Sequence, residues 1–256
     1  EHIRSGYPIL YTSADSVFQL AAHEDVISEK RLYELCMIAR GMLTGRHAVG
    51  RVIARPFRGD PGGFIRTPGR KDFSLPPPSP TLLDRLSAEG HKVVTVGKIH
   101  NLFAGRGIGE VIEARGNGEA MERASGYVEG RADFSFLFIN LIDFDMLWGH
   151  RRDVDGYVKG LEKFDAWIGR FIDSLEPGSL CIITSDHGCD PTMEGSDHTR
   201  EYVPLLAMRL GSRGGRDLGT RESFTDLAAT IADHFHIESV PGESFFDLLP
   251  ADDSDG

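Results

Sequence analysis

The chain is short of three things. It holds only 3 cysteines, Cys36, Cys181 and Cys189, an odd number without C-x-x-C spacing. A disulfide framework is therefore excluded, and reduced thiols of a cytoplasmic protein are expected. Apolar runs are short as well, none approaching the roughly 18 residues of a membrane-spanning helix. Positive charge is the third shortage: 28 Lys and Arg against 39 Asp and Glu leave a formal net charge of −11. That balance disfavours duplex nucleic acid or an anionic membrane as the main partner. What is present is globular: 256 residues, 40% hydrophobic and 26% charged, with no repeat and no low-complexity stretch. Such a chain can bury a real core as one large domain or two small ones.

Apolar, β-branched runs alternate with helical patterns. Strands are expected at 9–13, 50–56, 92–97, 134–141, 180–185 and 203–208. Helices are expected in "SEKRLYELCMIARGML" from Ser28, in "TLLDRLSAEG" from Thr81 with Gly90 closing it, and in "VDGYVKGLEKFDAWIGRFIDSLEPG". Another is expected from Ser223, where Asp226 three residues on comes close to a capping box. Alternation of this kind implies an α/β fold with a mostly parallel sheet. The stretch "FSLPPPSP" forbids helix and disfavours a paired strand, so it reads as a stiff hinge. The expected domains are a small α+β piece over 1–73, the hinge at 74–80 and an α/β piece over 81–256.

Open α/β sheets place their sites at the carboxyl ends of strands. Two ionisable clusters sit there: "DFDMLWGHRRD" with Asp143, Asp145 and His150, and "SDHGCDPTMEGSDHTREYVP" with Asp186, His187 and His198. Carboxylates mixed with imidazoles suit Mn, Zn or Fe better than Mg or Ca. Two such clusters on adjacent strands could hold ions about 3.5–4 Å apart, the spacing that clamps a phosphoryl group. One Asp-His pair is commonly a helix cap or a surface pair; two clusters and a third histidine outweigh that reading.

"TSDHGCDPTMEGSDHTREYVPLL" resembles the carboxyl-terminal signature of the phosphopentomutases (phosphodeoxyribomutases), in the alkaline-phosphatase superfamily. "NLIDFDMLWGHRRDVDGY" resembles that family's other metal segment, while "YTSADSVFQLAAHE" and "GRVIARPF" resemble its cap, and "VGKIHNLFAGRGI" matches a further stretch. The resemblance implies an alkaline-phosphatase-like core with a smaller α+β cap. It also implies an isomerase that interconverts ribose 1-phosphate and ribose 5-phosphate, and the deoxyribose pair, through a phosphoenzyme and a sugar bisphosphate. Two Mn²⁺ ions and a glucose 1,6-bisphosphate-like primer would serve it. By the same resemblance Asp145, His150 and His198 ligate one ion, and Asp186 and His187 are two ligands of the other. The family's remaining aspartate and its phosphoryl-carrying threonine have no match here. With Glu1 opening the chain, a separate amino-terminal segment is expected to supply them. Two other readings stand beside this one: a metal-dependent phosphatase or phosphodiesterase, and an inactive metal-binding fragment.

For substrate, Ser13 and Asp15 are candidates for the sugar hydroxyls, a helix N-cap before "SVFQLAAHE" being the competing reading. Arg51, Arg66 and Lys98 are candidates for the non-transferring phosphate, against solvated surface charge. Asp190 or Asp197 could hold a ligand histidine from behind or merely form a surface turn. Arg200 could orient phosphate or pair with Glu201. Gly188 and Gly195 are expected to turn the backbone tightly. His23 and His47 are expected to be structural or exposed, and Trp148 and Tyr157 to serve packing.

Overall fold

A computed structural model describes residues 1–13, 16–238 and 240–250, with nothing stated of the Ser13 side chain. Two compact units emerge: Glu1–Ser79 with His100–Arg106, and Pro80–Ile99 with Gly107–Gly256.

In the first unit a short helix α1 (His2–Ser5) leads into an antiparallel hairpin of β1 (Ile9–Ser13) and β2 (Val17–His23). Helix α2 (Glu29–Met42) then crosses to β3 (Arg51–Arg58), which runs parallel to β2. Two short strands, β4 (Ile65–Arg66) and β5 (Lys71–Ser74), pair antiparallel with β3. The Ser28 hydroxyl accepts from Arg31 N–H and starts α2, whose Leu32 and Cys36 are wholly buried against Leu20, Ala22, Val52 and Ala54. "SVFQLAAHE" is thus strand, not helix: each of its residues from Val17 to His23 finds a ladder partner on β3. The Pro-rich segment begins one step later than its composition suggests, since Phe73 and Ser74 still pair with Val52 and Arg51. Residues 75–80 carry no regular structure, and Arg106 donates to the Pro77 carbonyl at 2.7 Å.

The second unit opens with α3 (Leu82–Ala88), set by a full capping box between Thr81 and Asp84 and closed by Gly90 at φ 85°. A parallel three-stranded sheet follows in the order β7 (Glu110–Ile112), β6 (Val93–Val96), β8 (Phe136–Ile139). The division between units falls within the short helix α4 (Ile99–Leu102). Helices α5 (Asn117–Glu129) and α6 (Val154–Asp173) bury Ala120, Ala124, Val128, Trp167 and Phe171 in one cluster with Val96. Strands β9 (Leu180–Thr184) and β10 (Leu205–Arg209) form an antiparallel pair. The last helix, α7 (Thr225–His234), lacks the expected capping box. Asp226 is 3% exposed and accepts instead from the Glu243 N–H at 2.9 Å and the Arg221 guanidinium at 3.1 Å, fastening the tail segment to the helix. No described helix is long and apolar enough to cross a membrane.

Candidate metal centre

After β8 the chain enters a single π-helical turn, Phe144–Gly149. The His150 N–H donates to the Asp145 carbonyl at 3.1 Å, a five-residue step. At about 3.6 residues per turn an α-helix would hold side chains five apart some 140° from each other. The wider π turn swings them back onto one face, and His150 Nε2 lies 3.1 Å from Asp145 Oδ1. Phe144, packed edge-on to Trp148 and Tyr157 with ring centroids 5.2 Å apart in each case, supports the turn from behind. Those two aromatics therefore pack. Asp143 does not join the cluster: its carboxylate accepts from Asn117 N–H at 2.7 Å, and its own N–H donates to Asn117 Oδ1 at 2.8 Å, bolting the turn to α5.

The second group follows β9. Asp186 and His187 leave the strand, and an isolated antiparallel bridge between Gly188 and Thr199 folds the loop back, so that His198 lies over His187. Gly188 has ordinary φ; what it supplies is space, since a Cβ there would strike the Glu201 carboxylate and the Thr199 carbonyl. Gly195 does adopt the left-handed region, at φ 98°. The His187 and His198 rings stack with centroids 3.6 Å apart, and His150 stacks on His198 at 4.9 Å.

Three imidazoles and one carboxylate are thereby gathered from two strand ends. The ligand atoms of Asp145, His187 and His198 all lie within 4.8 Å of one another, as do those of Asp145, His150 and Cys189. His198 Nε2 approaches Asp145 Oδ1 to 3.2 Å. Asp186 stands beside the group, its Oδ1 3.6 Å from His187 Nε2.

A divalent cation fits these residues on the structure's own terms. Asp145 Oδ1 is shielded from solvent yet accepts no hydrogen bond, although two imidazole nitrogens approach it. His150 Nδ1 meets the Ser196 carbonyl at 2.5 Å, and His187 Nδ1 meets the Gly188 carbonyl at 3.0 Å. A carbonyl only accepts, so Nδ1 carries the proton in both rings and Nε2 presents a lone pair. Lone pairs and an orphaned carboxylate oxygen facing one point repel one another unless a cation sits among them. Burial, with the charge of Asp145 next in weight, pushes the Cys189 thiol up to about 11. Burial, then Cys189, Asp190 and Glu201, raises the Tyr157 phenol.

Cys189 is the member that the sequence reading passed over, although it stands two residues after His187 in the quoted "DHGCD". Asp190 does not support a histidine: its carboxylate accepts from the Thr192 N–H and hydroxyl, at 2.8 and 2.7 Å, and is held below its usual range by those bonds. The substrate candidates divide. Lys98 is in the second unit, its Nζ 3.0 Å from the sulfur of Met146 in the π turn. Arg51 and Arg66 are on β3 and β4 of the first unit, Arg51 facing Asp72 at 3.7 Å and Arg66 exposed. Asp15 and the Ser13 side chain lie outside the described residues.

The model of the metalloenzyme superfamily matches residues 90–239, more than half of the chain and all of the cluster. The chain belongs to that superfamily. Among metalloenzyme relatives, a phosphopentomutase of Caldanaerobacter subterraneus is 51% identical over 251 residues, 98% of this chain and 64% of its own. The phosphopentomutase of Acetivibrio thermocellus is 52% identical over 247 residues, 96% of this chain and 63% of its own. This metalloenzyme chain thus spans under two thirds of the length of the relatives it matches. A Leishmania mexicana phosphoglycerate mutase, solved at low cobalt concentration, superposes with a TM-score of 0.47 at 17% identity, covering 62% of this chain and 37% of its own.

Proposed function

We propose that this chain is the cap and metal-binding part of a phosphopentomutase, an isomerase interconverting ribose 1-phosphate and ribose 5-phosphate, and the deoxyribose pair, in the cytoplasm. The observation that carries the reading is identity near one half, over nearly the whole chain, to phosphopentomutases of several bacteria, joined to a histidine–carboxylate cluster built for cations.

In this reading Asp145, His150 and His198 hold one ion, and Asp186 and His187 contribute to a second. Two Mn²⁺ ions bound there would stabilise charge on the oxygens of the phosphoryl group in transfer. The protein's own part is orientation. The carbonyls of Ser196 and Gly188 fix the tautomers of His150 and His187, so each ring keeps Nε2 for the ion. Lys98, beside the π turn, supplies positive charge that a dianionic sugar phosphate needs in an acidic protein. Ser13, Asp15, Arg51 and Arg66 would take the sugar hydroxyls and the resting phosphate, with the first unit acting as a cap, 74–80 as its hinge, and closure excluding water. The phosphoryl-carrying threonine and the remaining metal aspartate would come from the third of the relatives' length that these residues do not span.

The test is a mutase assay with Mn²⁺, ribose 1-phosphate and glucose 1,6-bisphosphate as primer, with and without the amino-terminal segment of a relative. Isomerisation on complementation supports the reading; isomerisation by the chain alone would keep the activity but place the phosphoryl acceptor within these residues. Free phosphate released without isomerisation would instead make the protein a metal phosphatase. Silence in both arms would leave a metal-binding chain without this activity.

A further inference from the structure

The cluster contains a soft donor that the proposed chemistry does not use. Cys189 Sγ lies with an Asp145 oxygen and a His150 nitrogen inside a 4.8 Å group, and this trio shares Asp145 with the histidine pair. Two further features build the thiol into the π turn. Gly149 lies against it, and a Cβ at that position would run into Sγ, so the residue before His150 leaves the room that the thiol fills. His150 spends Nδ1 on the Ser196 carbonyl, which leaves Nε2 facing Asp145 on the side of the trio. Asp145 Oδ1 is shielded and accepts no hydrogen bond, so it can serve either set.

We infer that Asp145, His150 and Cys189 form a thiol-containing ligand set that captures thiophilic divalent ions such as Zn²⁺, Cd²⁺ and Co²⁺, drawing Asp145 and His150 away from His198, with which they would hold the first Mn²⁺ ion. The inference rests on reading the cluster as a metal centre and adds a ligand to it. Carboxylate oxygen, imidazole nitrogen and thiolate sulfur all ligate zinc, the thiolate being the soft donor that favours it, and three protein ligands with an open fourth position make a common zinc arrangement. Binding exchanges the thiol proton for the metal–sulfur bond and releases that proton to solvent; no oxidant or reductant is involved. Mn²⁺ is a harder ion, suited to carboxylate and other oxygen donors, and gains little from a thiolate, so it should leave Cys189 unligated. The identity of the ion would then decide which set is filled, and a thiophilic ion would occupy Asp145 in the wrong geometry for the other.

Cobalt reads both parts of the idea separately. Added to the 256-residue chain, Co²⁺ should give visible ligand-field bands, reporting binding, together with a near-ultraviolet thiolate-to-cobalt band, reporting Cys189. In Cys189→Ser the ligand-field bands should remain, the charge-transfer band should vanish, and Zn²⁺ affinity should drop by about tenfold or more, with Mn²⁺ affinity unchanged. As a measure independent of any variant, Zn²⁺ should protect Cys189 of the unaltered protein from alkylation while Mn²⁺ should not. Ligand-field bands without the charge-transfer band would overturn the thiol set and leave the metal centre standing. A band that persists in Cys189→Ser would place the sulfur elsewhere and overturn it too. Absence of any cobalt spectrum would overturn both the set and the metal reading.

Discussion

Two groups of histidines, one in each unit, use the same side chain in opposite ways. In the first unit, His2 meets the Tyr7 carbonyl through Nδ1 at 2.5 Å and accepts the His23 N–H on Nε2 at 2.8 Å. His23 in turn accepts from the Asp25 N–H and reaches the Gly59 carbonyl, at 3.2 and 3.0 Å, while its ring packs on Phe57 and Phe64. Both nitrogens of both rings are spent on backbone, and each residue is 7% exposed. In the second unit, His150 and His187 spend one nitrogen on a carbonyl and turn the other toward a carboxylate, from partly open positions. A structural histidine closes its hydrogen bonds internally; a ligand histidine leaves one lone pair over. The leftover group, rather than burial, marks the chemistry.

The comparison breaks most visibly at Asp145. Asp145→Asn should lower affinity for Mn²⁺ by more than the roughly 10–100-fold that loss of an outer-shell partner costs, since this residue is in both candidate groups; calorimetric titration measures it. Metal-free stability should stay level or rise, because Oδ1 has no hydrogen bond to lose. His23→Ala should do the reverse. It strands the Asp25 N–H and the Gly59 carbonyl and costs about 2 kcal/mol in denaturant unfolding, with Mn²⁺ affinity unaffected. Smaller again is Thr81→Ala, which removes the capping box of α3 and should cost about 1 kcal/mol without touching the cluster.

The smallest effect is a pH dependence. Burial, with Arg209 and then His236 adding to it, holds the His234 imidazole below its usual range. The unfolded chain therefore binds a proton near pH 6.5 that the folded chain refuses until lower pH, with about 6.5 as the unfolded value. This contribution is fully present above that pH and is lost as pH falls below it toward the folded value. His234→Gln should flatten the slope of unfolding free energy against pH below about 6.5; an unchanged slope would remove His234 as its source.

Much of this was legible in the sequence. Strands β6, β8 and β9 are β-branched or aromatic runs bounded by turns, and the periodicity of α2 and α6 placed both helices. What was missed has physical reasons. Strand β2 is buried at Val17, Gln19, Leu20, Ala22 and His23, so its pattern lacks a clean period of two. Helix α5 shows only a weak apolar stripe, because the apolar residues it buries are small or short, Ala120, Ala124 and Val128. Of the site, the aspartates and histidines stood out by type and spacing. The π turn that joins Asp145 to His150 did not, because nothing in a five-residue separation distinguishes it from an α-helix. Cys189 was counted as one thiol among three, and only the fold brings it beside Asp145, His150 and Gly149.

The most direct test of the metal centre is anomalous diffraction from crystals of the protein soaked in Mn²⁺. A strong peak within coordination distance of Asp145 Oδ1 and at least one of the His150, His187 and His198 imidazoles is expected. An ordered cluster with no anomalous peak, at Mn²⁺ concentrations that saturate a phosphopentomutase relative, would contradict the metal centre and leave the three histidines as a stacked surface group.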